Sequence, residues 1–127
     1  MARQSCSLFL AVLLACAGGC GRARPTLAGG KPVLHWVAAL RSPDARLRKE
    51  AVFKLGNVGP TDTAAFPAVR AALDDKDWRV RREAVLALTK FGPEATEAVP
   101  TLTQICQPDP NAQVRNCAAR ALARLGE

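Results

Sequence analysis

No tyrosine occurs anywhere in the sequence, histidine occurs once, and beyond residue 20 Ser42 is the sole serine. Catalysis by a nucleophile and its base, or metal binding through imidazoles, has almost nothing to draw on. His35, beside Trp36, has no companion at ligand or triad spacing and reads as a surface or packing residue. No catalytic residue, no metal site and no cofactor is expected. Aromatic residues are scarce as well, at 5%. That scarcity argues against a sheet of aromatic and β-branched residues and for closely packed helices of Ala and Leu, so the expected fold class is all-α. Acidic residues are outnumbered, 11 against 18 Lys and Arg, for a formal charge of +7. The excess favours nucleic acid, anionic lipid or an acidic protein without choosing among them.

The apolar run LFLAVLLA at 8–15 is too short to span a bilayer. Behind MARQ and ahead of CAGGCG, it has the layout of a signal peptide over residues 1–20. Leu13-Leu14-Ala15-Cys16 resembles a bacterial lipobox, which implies that Cys16 is lipidated, with Cys20 as the second candidate. Ala15-Cys16-Ala17 also reads as an ordinary cleavage site that would release a soluble protein. The expected location is the cell envelope, anchored by lipid and facing the periplasm or cell surface, with soluble secretion as the alternative. GRARPTLAGGKP, residues 21–32, has no apolar period and reads as a flexible tether.

Beyond Pro32 the chain repeats itself. LRKEAVFKL at 47–55 returns as VRREAVLAL at 80–88 and, more loosely, as VRNCAARAL at 114–122. Leu40, Asp44, Arg48, Glu50, Ala51, Leu55 and Gly59 recur 33 residues later as Leu73, Asp77, Arg81, Glu83, Ala84, Leu88 and Gly92. A period of this length marks a solenoid or array. The units are 33–59, 66–92 and 99–126, within a repeat region of 33–126, and each breaks into two helical halves at an Asp- or Asn-containing loop. On a helical wheel begun at Val80, residues Ala87, Val80, Phe91, Ala84 and Leu88 fill one arc, with Arg82, Thr89 and Lys90 opposite. A single hairpin cannot bury that arc, whereas stacked neighbours can.

The pattern D-x-x-V-R-x-x-A-x-x-x-L-x-x-x-G is similar to the signature of HEAT and HEAT-like (phycobilin-lyase-type) repeats. Asp77, Val80, Arg81 and Ala84 match it in full, Leu47 stands for Val in the first unit, and Asn111 stands for Asp in the third. The resemblance implies a polar ladder between repeats built from Asp44, Arg48, Asp77, Arg81, Asn111 and Arg115, with Arg81 paired to Asp77 or Asp44. Burial of an arginine in the apolar arc demands such a partner. Asp44 and Asp77 are also placed to cap the second helices.

Of the five cysteines, Cys6, Cys16 and Cys20 fall in the leader region, Cys106 takes the Leu40/Leu73 core position, and Cys117 replaces Glu50 and Glu83. A Cys106–Cys117 pairing is left open by the spacing. The basic clusters RLRK (46–49) and RVRR (79–82) resemble the phosphate stripe of a HEAT-like DNA glycosylase, but one Arg in each is assigned to the ladder, and aromatic platforms for bases are few. Protein is the favoured partner. Phe53 and Leu86 fall outside the apolar arc, flanked by Lys49 and Arg82 and continued by Arg120. In HEAT-like arrays the second helices line the concave side, so these five residues are expected to bind an acidic amphipathic segment. The expected function is a non-enzymatic interaction scaffold of the cell envelope. The alternatives are an auxiliary or chaperone-like factor of the phycobilin-lyase branch and a nucleic-acid-binding module.

Overall fold

The computed structural model describes residues 24–126, the Cys106 side chain excepted. Residues 1–20, with Cys16 and Cys20, lie outside the described residues, as does the start of the 21–32 segment. Six helices follow in three hairpins: α1 (Val33–Ala39) with α2 (Ala45–Val58), α3 (Ala65–Ala71) with α4 (Trp78–Leu88), and α5 (Val99–Cys106) with α6 (Ala112–Leu125). The protein is an all-α solenoid, and its second helices form one layer in which α4 packs against both α2 and α6. No helix of the described residues is long and apolar enough to cross a membrane.

Local chemistry explains where the second helices start. Asp44, Asp77 and Asn111 sit in extended backbone, and each side chain accepts a hydrogen bond from the N–H two residues on, at 2.9, 2.8 and 2.8 Å. Those bonds satisfy amides that the helix itself leaves open. Short 3-10 segments that begin Gly-Pro, Gly59–Thr61 and Gly92–Ala98, then carry the chain from one hairpin to the next.

The arc of Val80, Ala84, Ala87, Leu88 and Phe91 is buried, and Phe91 meets Phe66 edge-on with ring centroids 5.5 Å apart. Val52 and Val85 are fully buried too, although they lie outside the arc that the wheel assigns to the core. The wheel treats a helix as having one buried side. Here α4 has two, one toward each neighbouring repeat, and α2 has the second repeat on one side and the strand Leu27–Ala28 on another. Where α2 and α4 touch, Gly56 lies against Ala87 so closely that a Cβ on Gly56 would stand 2.6 Å from the Ala87 Cβ.

The segment expected to be a flexible tether is different in its described part. Leu27–Ala28 (β1) pairs antiparallel with Lys31–Pro32 (β2) around Gly29 and Gly30, whose φ values of 56° and 80° belong to the left-handed region a two-residue hairpin turn needs. Trp36 explains why this short hairpin is held. Its ring is buried and its indole Nε1–H donates to the Ala28 carbonyl at 2.7 Å, while the Val33 N–H donates to Thr26 O at 3.0 Å. Lys31 and Lys54 lie over the same ring, with Nζ 5.3 and 5.9 Å from its centroid. Lys54 faces about 200° away from Gly56 on α2, so the hairpin covers the side of the first repeat opposite the second.

Candidate functional site

The layer of second helices is held in register by two ion pairs. Arg48 donates through Nε to Asp75 Oδ2 at 2.8 Å and through Nη2 to Asp75 Oδ1 at 3.0 Å. Arg81 grips Asp109 in the same bidentate way, at 2.8 and 2.9 Å. In both cases a third bond, from Nη1, ties the arginine to its own hairpin loop: to Ser42 O at 2.9 Å, and to Asp75 O at 2.8 Å. Arg115 repeats the inner bond, to Asp109 O at 2.7 Å. Each complete rung therefore joins two repeats through side chains that are nearly out of water, 13% exposed for Arg81 and 5% for Asp109.

Such pairing sets the ionisation of the carboxylates. Burial on its own would raise the Asp75 carboxyl, but the bonds from Arg48 and from the Asp77 N–H outweigh it and hold the group below the usual carboxylate range. Asp109 is lowered in the same manner, with burial opposed by Arg81 and the Asn111 N–H. The hydrogen bonds to Asp75 and Asp109 push the Arg48 and Arg81 guanidinium groups the other way, above their ordinary value.

The rungs correct the ladder expected from the sequence. Arg48, Arg81 and Arg115 occupy the expected places, but Asp44, Asp77 and Asn111 are caps and accept no bond from those guanidinium groups. The acceptors are Asp75 and Asp109, two residues before the caps, and Asn111 leaves the Arg81 rung intact. A signal for them exists in the repeat alignment, because Ser42, Asp75 and Asp109 are equivalent positions in the loop. Ser42 keeps the local part of the role, its Oγ accepting from the Asp44 N–H at 3.1 Å.

The outer surface of this layer carries the residues expected to meet a partner. Phe53 is 44% exposed and Leu86 39%. They do not share one apolar centre. Lys49 and Phe53 line a groove of about 920 Å³ between α2 and α4, together with Asp44, Arg46, Glu50, Asp77, Arg79 and Glu83. Arg82, Leu86 and Arg120 line a second groove of about 440 Å³ between α4 and α6, with Cys117 and Arg124 among its walls. Lys90 lies over Phe53, its Nζ 5.1 Å from the ring centroid and 2.7 Å from Asn57 Oδ1. His35 is exposed and packs edge-on to Trp36 at 5.1 Å. Cys117 is half-buried and, among the described residues, has no disulfide partner. The possible pairing with Cys106 involves a side chain outside the described residues.

Stacked hairpins, an arginine ladder inside and an exposed second-helix face outside define an α-solenoid repeat protein, a class whose working part is a surface. A family model for HEAT repeats matches residues 33–123, and the chain belongs to the HEAT-repeat family. It is similar to a chain in the structure of the complex of CpcE and CpcF of phycocyanin lyase from Nostoc sp. PCC7120, at 33% identity and a TM-score of 0.65. The match covers 83% of this chain and 40% of that one, so this chain spans less than half the length of its relative. Among curated proteins none matches.

Proposed function

We propose that this chain is a non-enzymatic protein-binding module, exported behind the 1–20 signal and tethered to an envelope membrane through lipid on Cys16. One observation carries the binding role: Phe53 and Leu86 stay open to water on the second-helix face, beside Lys49, Arg82 and Arg120, and each lines a groove between neighbouring second helices. Apolar anchors within a charged rim are a usual composition for a docking surface. The combined Phe53→Ala and Leu86→Ala variant should lose capture of partners from envelope extract and keep its thermal midpoint. A large fall in stability would instead place these side chains in the core and end this reading. The anchor is tested by mass spectrometry of the mature N-terminus, where an unmodified Cys16 would refute it.

A second reading draws on the relative. Its similarity to a chain from a phycocyanin lyase complex supports an auxiliary factor that works beside a lyase, with the same face holding the assembly together. Binding to a lyase subunit that survives the Phe53→Ala and Leu86→Ala changes would count against it.

A further inference from the structure

We propose that the groove between α4 and α6 is the docking site, and that its occupant is a carboxylate-rich protein segment carrying at least one apolar side chain. The inference rests on the protein-binding reading above and narrows it to one groove and one partner chemistry. The groove between α2 and α4 supplies its own counter-charges: Arg46, Lys49 and Arg79 share its walls with Asp44, Glu50, Asp77 and Glu83. Part of that charge is already engaged, since Arg79 lies 3.7 Å from Asp77 and over the Trp78 ring. The groove between α4 and α6 has Arg82, Arg120 and Arg124 and no carboxylate among its lining residues.

Repeat geometry shows how the difference arises. Asn111 stands where Asp44 and Asp77 cap the earlier helices, Cys117 stands where Glu50 and Glu83 stand, and Arg120 replaces Phe53 and Leu86. At each of these positions the third repeat has lost a negative charge or gained a positive one. All three arginines are exposed and, among the described residues, none forms an ion pair. Three guanidinium groups around one cleft, with no ion pair among the described residues, repel one another and raise its positive potential, which an incoming carboxylate relieves. Between them Leu86, Ala121 and Cys117 provide an apolar floor. Burial, with a smaller contribution from the Glu83 carboxylate, pushes the Cys117 thiol up although Arg82 and Arg120 pull it down, so it stays an uncharged part of that floor. No aromatic residue lines the groove, which leaves nothing for bases to stack on and favours a protein segment over nucleic acid.

The test uses the full chain, a short synthetic peptide of alternating Glu-Glu-Leu units, the same peptide with Gln for Glu, and a single-stranded oligothymidylate of equal charge, each titrated by calorimetry. The Glu peptide should bind, more weakly as salt rises, and the Gln peptide should not. Joint substitution Arg82→Gln, Arg120→Gln and Arg124→Gln should weaken the Glu peptide by about tenfold or more, as loss of complementary charge does. Removing equal charge from the other groove, through Arg46→Gln, Lys49→Gln and Arg79→Gln, should leave affinity within a factor of about three. Equal losses in the two variants would reduce the effect to net charge and overturn the assignment. Oligothymidylate binding as tight as the peptide's, and lost with the same arginines, would overturn the choice of protein. If the Glu peptide fails to bind while Phe53→Ala and Leu86→Ala still abolish partner capture, the groove is wrong and the broader function stands.

Discussion

Arg81 and Arg82 are neighbours with the same chemistry and opposite situations. Arg81 makes two bonds to Asp109 and two to its own loop, at Asp75 O and Lys76 O, in a nearly dry setting, while Arg82 is exposed. Arg81→Ala strands a buried carboxylate and should lower stability by about 3 kcal/mol, whereas Arg82→Ala should stay within about 0.5 kcal/mol. Asp77→Ala distinguishes the observed rung from the expected one. As a cap, Asp77 contributes about 1 kcal/mol; as the acceptor for Arg81 it would be worth as much as Arg81 itself. Urea midpoints for the three variants decide it, and a loss for Asp77→Ala equal to that for Arg81→Ala would contradict the geometry. The arginines were legible because they fall within an apolar arc. The acceptors were harder to choose, because the loop of the second repeat offers Asp74, Asp75 and Asp77 and the first has Ser42 at the acceptor position; the turn of the backbone aims Asp75 and Asp109 at the preceding repeat while Asp44 and Asp77 cap their own helices.

Between elements, α2 and α4 approach each other closely at Gly56. A mid-helix Gly→Ala change usually stabilises by about 1 kcal/mol. Here the new methyl would meet the Ala87 Cβ at 2.6 Å and the Ala87 Cα at 3.1 Å, the second being backbone that cannot swing aside. Gly56→Ala should therefore destabilise by about 1–3 kcal/mol through overpacking, with Ala87→Gly in the same chain recovering part of the loss. Denaturation midpoints for the single and double variants check it, and a stabilised single variant would show that the helices can part freely. Helices and caps were readable from periodicity and from Asp or Asn ahead of each apolar stretch. The β1–β2 hairpin was not. Its strands are two residues each, too short for any alternation to show, and what holds it is a bond from the Trp36 indole to a backbone carbonyl eight residues back, which no periodicity encodes.

At the scale of the whole array, stability is a sum of hairpin terms and interface terms, and the two rungs belong to the interfaces. The Asp75 and Asp109 carboxyls are lowered in the folded chain. Their contribution is therefore present above the unfolded carboxylate value of about 3.9 and drains away as pH falls through the lower folded value. Urea unfolding should be a single transition at neutral pH and should broaden below about pH 4 as protonation uncouples the repeats. In an Asp75→Asn, Asp109→Asn variant the neutral-pH midpoint should already be low and the acid dependence shallower, and an unchanged acid profile would remove the rungs from the interface account. The repeat itself, its three units and its arginines could be read from spacing alone. The two unlike grooves could not, because a groove belongs to a pair of helices and its charge depends on which residues of each face the same gap. The hairpin at the other end of the stack bears on how such a chain can lengthen. A duplicated repeat inserted between α2 and α3, or between α4 and α5, would find a small residue such as Ala87 or Ala121 facing it and a carboxylate for the arginine behind it. One placed ahead of α1 would have to evict the hairpin, bury Lys54 where later repeats carry alanine, and meet Ser42 in place of an acid. Duplication between hairpins thus keeps the contacts in kind, while a repeat set directly against α1 and α2 would cost the Trp36–Ala28 bond and find no acid at Ser42.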